Sequence, residues 1–425
     1  MKHRKVLERV YNRGRLVLAW QQVRKNAGAA GIDRMTVKVF ERREGELLDF
    51  IQEKLKAGTY RFRPAKRALI PKDGTSKKRK LGIPVVMDRI VAQSVNLVFE
   101  EIFDQDFTES NFGFRRGKSQ HQAIRHVQGI VLEGYEWCAS VDLKSFFDEI
   151  PFNLMLKLIR RKIADEGLVT LVARALKAGV MVDGKLEKTE KGCPQGSPLS
   201  PMLSNIVLNE LDHELESRGH RYCRWADDFV ILVKSERAAN RVMEGVVRYL
   251  ENELNLPVNK EKSEVARIKD VPYLGFQILR GKIRISDKAR AKFKDKVRDR
   301  TRRNNPLSMY QIIQDLNAYL KGWIGYFKVQ EFKNILKIFD GWIRSRLRSM
   351  QLKKWKNPHK FQRIMIKAGF KPQEARRVWV RMNKWQSVDR TPVRFVMNLK
   401  WFRGQGLFFL DDFTRKPSEQ TLFSR

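Results

Sequence analysis

Residues 221–233, RYCRWADDFVILV, constrain the fold more than any other stretch of this chain. Two short apolar runs flank a tight turn. Tyr222, Cys223 and Trp225 suit a strand before it, and Phe229, Val230, Ile231, Leu232 and Val233 suit a strand after it. The spacing predicts a β-hairpin with Asp227 and Asp228 at its tip. Adjacent carboxylates repel each other, so a cation belongs beside them. Hard oxygen ligands suit magnesium. Acidic residues also make ordinary turns, and on this stretch alone the two readings stand level.

Two further stretches shift that balance. In WCASVDLKSFFDEI, residues 137–150, an apolar strand ends at Asp142 and the chain turns into Phe146 and Phe147. One carboxylate at a strand end and two at a hairpin tip can hold a pair of metals about 3.5–4 Å apart, as phosphoryl-transfer sites do. In KGCPQGSPLSPMLSNIVLNELD, residues 191–212, a Pro/Gly/Ser loop leads into a helix with Leu203, Ile206, Val207 and Leu211 at helical spacing. Backbone N–H groups where a loop becomes a helix suit a base or phosphate of a nucleotide.

In this order the three stretches resemble the palm of reverse transcriptases, and most closely the group II intron-encoded reverse transcriptase, or maturase, family. The resemblance runs from about residue 28 to at least residue 406. It is carried by IPKDG followed by LGIP, FGFRRGKS, VDLKSFFD, GCPQGSPLSP, ADDFVIL, LNLPVNKEKS and YLGF. It implies an α+β right-hand polymerase fold. Fingers and a palm with an antiparallel sheet come first, then an α-helical thumb and a basic C-terminal DNA/RNA-binding region. It implies the compact bacterial type without a C-terminal endonuclease domain. Asp142, Asp227 and Asp228 are then the catalytic metal ligands for two Mg2+ ions, with Mn2+ an accepted substitute. One departure sits in the core: where the family usually has Tyr-Ala-Asp-Asp, this chain has Trp225. The aromatic plane stays and the hydroxyl is lost.

Composition agrees on the partner. The chain has 425 residues, 86 Lys plus Arg against 48 Asp plus Glu, and a net charge of +38. Charge on that scale speaks of a polyanionic partner, not of fold. No apolar run approaches the ~18 residues that span a bilayer. The start, MKHRKVLERV, has no apolar core after its basic residues, so no secretory signal is expected. Nucleic acid in a cytoplasmic setting, bacterial cytosol or nucleoid, is the expectation, with no membrane. Cys138, Cys193 and Cys223 are isolated and read as small apolar fillers.

Residues 1–27 read as a helical lead-in, and a loop through Gly28, Gly31 and Asp33 precedes a helix over 37–55. This resembles the N-terminal extension of group II fingers, with Arg34 where the family loop ends in Gly; an ordinary capped turn explains it as well. Next comes a basic hairpin. By resemblance its Lys72 and Arg79 hold the triphosphate, an ammonium point charge and a guanidinium fork. A helix is expected over 91–103. Arg115, Arg116 and Lys118, between glycines ahead of a helix, match the family's template contacts.

Phe147 matches the steric gate that excludes a 2′-hydroxyl, so deoxynucleotides are the implied substrates. Phe146 shares that nucleotide site or takes the core-packing role. Gln195 and Gly196 match residues that approach the incoming nucleotide. Lys262 matches a lysine near the triphosphate or is a plain solvated lysine. Tyr273 and Gly275, in YLGF, match the primer grip, where glycine admits close approach.

Residues 282–303 hold eleven Lys or Arg and three acids, which reads as a linker or exposed helix that meets polyanions. Helix periodicity over 308–327 and 332–347 predicts an α-helical thumb, and LNAYLKGWIGYF resembles the maturase thumb. Residues 341–373 hold ten basic residues and no acid. There Lys353, Lys354, Lys356 and Lys360 interleave with Trp355 and His359, as phosphate contact and base stacking require.

The expected division is 1–135 N-terminal extension and fingers, 136–281 palm, 282–350 thumb, and 351–425 basic region. The implied activity is RNA-directed DNA synthesis on an RNA template, from a DNA or RNA primer, with dNTPs. A structured intron RNA is the implied further partner. The alternatives are a host-domesticated relative in repair or defence and a splicing-only RNA-binding maturase.

Overall fold

The structure is a computed structural model. It describes residues 2–71, 78–355, 358–381, 388 and 391–413. The chain forms two compact units, Met1–Val271 and Pro272–Arg425.

The first unit begins with helices Val6–Val10 and Arg13–Asn26. The Asn12 side chain caps the second by accepting from the Arg15 N–H at 3.3 Å. The expected helix over 37–55 is divided at Arg43 into Val37–Arg42 and Glu44–Lys56. Helix Val86–Phe103 buries most of its length, and its apolar residues join one core with those of Ser200–Ser217.

Two sheets lie in this unit. Strands β1 (Ala65–Pro71), β2 (Lys78–Ile83), β4 (Val180–Val182) and β5 (Lys185–Glu187) are ordered β2-β1-β4-β5. A tight turn through Asp183 and Gly184 joins β4 to β5, with φ of +47° and +83° at those two residues. Strands β3 (Trp137–Val141), β6 (Arg221–Trp225), β7 (Asp228–Val233) and β8 (Glu264–Arg267) form an antiparallel sheet ordered β6-β7-β3-β8. The mostly apolar, little-exposed strand Trp137–Val141 and the apolar run in β7 are what strands inside a covered sheet need.

The second unit opens with the hairpin of β9 (Phe276–Leu279) and β10 (Lys282–Ile285). The basic stretch after β10 forms helix Asp287–Arg300, and the thumb periodicity resolves into helices Met309–Phe327 and Asn334–Lys354. Ser308 and Gln311 form a capping box at the start of the first. Phe293, Trp323 and Phe339 pack as one aromatic cluster, with Phe293 4.2 Å from the Trp323 ring and 4.6 Å from the Phe339 ring. Buried polar side chains clasp the C-terminal segment. The Asn317 amide donates to the Gly406 carbonyl at 2.7 Å, and the Asp340 carboxylate accepts from the N–H groups of Leu410 and Asp411 at 3.0 and 2.9 Å. Burial raises the Asp340 pKa to about 6. Among the described residues, no helix is long and apolar enough to cross a membrane.

Candidate active site

The hairpin forms as its sequence requires, with one change of register. Trp225 pairs with Asp228, so the turn residues are Ala226 and Asp227, and Asp228 is the first residue of β7. Ala226 takes φ of +56°, a region that costs a non-glycine residue about 1–2 kcal/mol. Gly113 lies against this turn: a Cβ there would stand 2.1 Å from the Ala226 nitrogen. Val141 pairs with Phe229, so Asp142, the next residue, emerges beside Asp228.

Asp142 is held by the LNLPVNKEKS loop. Its backbone N–H donates to the Ser263 hydroxyl at 3.1 Å, and its backbone carbonyl accepts from the Asn259 N–H at 2.8 Å. Its carboxylate accepts from the Asn259 side-chain amide at 2.9 Å and lies 3.4 Å from the Lys262 ammonium. Lys262 therefore sits against the acidic cluster. Asn259 had no separate signal in the sequence beyond its motif.

The electrostatics match this crowding. Desolvation raises the Asp227 pKa, with the charge of Asp142 adding to it. Desolvation, then Asp227, then Asp142 push Asp228 up to about 6. Arg79 on β2 pulls both the other way. Among the described residues, no three or more His, Cys, Asp or Glu side chains stand arranged as a finished metal cage. Magnesium sites in polymerases take one or two carboxylates and complete their octahedron with substrate phosphates and water. An all-oxygen set of mutually repelling carboxylates fits such an ion.

Of the residues expected at a nucleotide, Phe147, Gln195 and Gly196 line a cavity of about 490 Å³, together with Arg89, Phe114 and Gly28, among others. Phe147 is fixed by its backbone, whose carbonyl accepts from the Cys193 N–H at 2.6 Å. Phe146 meets the Phe147 ring edge-on, with centroids 5.4 Å apart. It is 3% exposed and belongs to the hydrophobic core, which withdraws it from the nucleotide set. Gly196 has φ of +114°, and a Cβ on it would meet the Gly82 carbonyl oxygen at 2.4 Å. The Gly82 N–H donates to the Gln195 carbonyl at 2.8 Å, so β2 and the PQG loop touch backbone to backbone.

The basic residues divide. Arg115 is a correction: its side chain is 6% exposed, and it donates to the Asp104 carboxylate and to the carbonyls of Thr108 and Asn111, at 2.7, 2.7 and 3.1 Å. It staples a loop and has no donor face turned to a template. Arg116 is exposed, and Lys118 pairs with Glu109 at 2.5 Å. Lys354 is a second correction, since its ammonium donates to the carbonyls of Asn305 and Leu307. Trp355 is a third: it is 8% exposed and packs against Phe361 rather than offering a stacking face. Lys353 is exposed. Lys72 and Lys356 lie outside the described residues.

YLGF folds as a tight turn. Tyr273 and Phe276 exchange two backbone hydrogen bonds at 2.9 Å, with φ of +50° at Leu274 and +79° at Gly275. The Tyr273 side chain is 5% exposed, so what this turn presents is backbone.

Sequence reasoning missed the group beneath the hairpin. Arg224 and Asp212 form an ion pair with both side chains 0% exposed, and Asn205 joins them. An arginine inside an apolar strand was the signal that was available.

Comparison with known proteins follows the same lines. The family described as reverse transcriptase (RNA-dependent DNA polymerase) matches residues 70–278, and the group II intron maturase-specific domain matches 290–369. Protein YkfC of Escherichia coli (strain K12) is 32% identical over 302 residues, 62% of this chain and 79% of that protein. Group II intron-encoded protein LtrA of Lactococcus lactis subsp. cremoris is 28% identical over 328 residues. That match covers 61% of this chain and 54% of LtrA, so the chain spans about half of that relative. An uncharacterized 91 kDa protein in the cob intron of Schizosaccharomyces pombe is 32% identical over 213 residues, 48% of this chain and 25% of that protein.

Proposed function

This chain belongs to the group II intron-encoded reverse transcriptase and maturase family, and we propose that it copies RNA into DNA with Asp142, Asp227 and Asp228 as the metal-holding carboxylates. One observation carries the assignment of the site: β3 and the β6–β7 hairpin bring these three acids to one end of one sheet. The domains along the chain read as N-terminal extension and fingers, palm, thumb and basic C-terminal region.

Reverse transcriptases use divalent ions. Two magnesium ions, when bound, lower the pKa of the primer 3′-hydroxyl and neutralise the leaving pyrophosphate. The protein supplies the rest. Asp142 is steadied by Asn259, and Asp227 by the turn that carries it. Arg79 brings a guanidinium fork to the triphosphate. Phe147 lines the nucleotide cavity and excludes a 2′-hydroxyl, while Gln195 and Gly196 form a wall of it that rests against β2. Arg116, Lys118 and Lys353 contact nucleic-acid phosphates, and the backbone of the Tyr273–Phe276 turn meets the primer. An intron RNA is the proposed further partner of the thumb and basic region, on the strength of the maturase-specific match.

The test is primer extension on an RNA template with magnesium. Wild-type protein extends with dNTPs, and Asp227→Ala abolishes extension while RNA binding stays within about threefold, a difference of under ~1 kcal/mol. Substantial extension by Asp227→Ala removes the site assignment.

A further inference from the structure

Arg224 and Asp212 present a problem in energetics. Both are removed from water completely. A buried ion pair is weak evidence for stability, because well-packed apolar residues of similar volume often serve as well or better. The pair is best understood by asking what it holds.

The donors of Arg224 can be counted. Nε donates to both Asp212 oxygens at 2.8 and 3.0 Å, and Nη2 donates to Oδ2 of the same carboxylate. Nη1 donates to Asn205 Oδ1 at 3.0 Å and to the Ala226 carbonyl at 2.9 Å. That carbonyl belongs to the peptide joining Ala226 to Asp227. Ala226 is the residue with φ of +56°. Holding its carbonyl restrains the peptide plane, and with it the N–Cα bond from which the Asp227 side chain projects. The Asn205 amide donates to the Gly113 carbonyl at 2.8 Å, and Gly113 abuts the Ala226 nitrogen. The Phe112 N–H donates to the Arg224 carbonyl, and the Arg224 N–H donates to the Ser110 carbonyl, each at 2.9 Å. The turn is thus gripped on its carbonyl side by Arg224 and on its nitrogen side by Gly113, with Asn205 tying the two grips together.

We propose that Arg224, backed by Asp212 and Asn205, is a positioning residue that aims Asp227 at its divalent ion. This rests on the reading of Asp227 as a metal ligand. Arg224 touches no substrate and acts only through the Ala226–Asp227 peptide.

The experiment titrates Mn2+ into the full chain and follows bound metal by electron paramagnetic resonance, with melting curves measured alongside. The titration is run at a temperature where the melting curves show each variant more than nine-tenths folded, so lost stability alone raises half-saturation by little more than a tenth, and a purely structural role leaves it essentially unmoved. Arg224→Lys keeps the charge and loses the fork. The double variant Arg224→Gln with Asp212→Asn removes both charges together, leaves neither ion unpaired, and is too short to reach the Ala226 carbonyl. The expected result is a half-saturating Mn2+ concentration raised about tenfold or more in both, the usual scale for groups that orient a metal ligand. Polymerase kcat falls by a similar factor, and KM for dNTP stays within about twofold, since the interaction acts on the reacting geometry. Wild-type Mn2+ affinity in either folded variant overturns the proposal. Wild-type affinity in Asp227→Ala identifies the other failure, that of the metal-site reading itself.

Discussion

Two tight turns in this chain begin alike and are supported by opposite means. Trp225-Ala226-Asp227-Asp228 and Tyr273-Leu274-Gly275-Phe276 each start with an aromatic residue and put a non-glycine residue second in the left-handed region, at φ of +56° and +50°. Beneath the first lie Arg224, Asp212 and Asn205, all buried and polar. Beneath the second lie rings: Phe276 is 5.5 Å from Tyr326 and 5.1 Å from Phe327, and the Tyr326 hydroxyl donates to the Leu274 carbonyl at 2.7 Å. The difference follows from what each turn offers. In the proposed site the first aims a carboxylate, and a charged fork on one carbonyl fixes direction. The second offers backbone, and an apolar bed with one hydrogen bond is enough to hold it.

The largest break in that comparison is expected from Arg224→Leu. It leaves Asp212 buried without its partner, a loss of about 3–5 kcal/mol, read by urea unfolding of the first unit within the whole chain. An unchanged midpoint removes the account of the polar grip. Acid comes next. Asp228, at about 6, lies above its unfolded value of 3.8, so the folded protein holds this proton more tightly. From that group alone, stability falls as pH rises from about 4 to about 6 and is level above. Metal binding runs the opposite way, because the ion needs the carboxylate. Primer extension at limiting magnesium should therefore fall about tenfold per pH unit below about 6. The second turn offers no such sensitivity, since burial moves the Tyr326 hydroxyl up to about 12. A flat profile from pH 7 to 5 contradicts the crowding around Asp228. The smallest effect belongs to Tyr326→Phe, which removes one hydrogen bond worth about 0.5–1.5 kcal/mol. It should lower thermal stability slightly and leave Mn2+ half-saturation untouched, in contrast to the Arg224 variants.

These contrasts show what was legible in the sequence. The hairpin, the strand ending at Asp142 and the thumb helices were, because alternation and helical spacing are local patterns. The closeness of Phe147 to the PQG loop was legible only through its motif, and the structure places Phe147, Gln195 and Gly196 around one cavity. The fate of charge was not. Arg115 and Lys354 look in sequence like Arg116 and Lys353, yet the first pair is engaged with loop carbonyls and the second pair is exposed. Only the three-dimensional course of the neighbouring backbone separates them. Trp355 misled for the same reason, since an aromatic residue among lysines fits a core as well as a stacking platform. Arg224 was hidden by the distance along the chain to Asp212, Asn205 and Gly113. The register of Asp228 turned on one residue, which pattern reading rarely resolves.

The order of strands in the palm sheet has a consequence for synthesis. β3 is an inner strand, and both of its neighbours, β7 and β8, come later in the chain. As the protein leaves the ribosome at about 5–20 residues per second, Trp137–Val141 emerges with two open edges. It must wait through the helices and the PQG loop before β7 closes one edge, and longer before β8 closes the other. Asp142 receives Asn259 and Ser263 only with that last segment. The carboxylate that comes first in the chain is thus among the last to be fixed in space. A chain halted before residue 264 carries an exposed apolar edge, the kind that pairs with other chains.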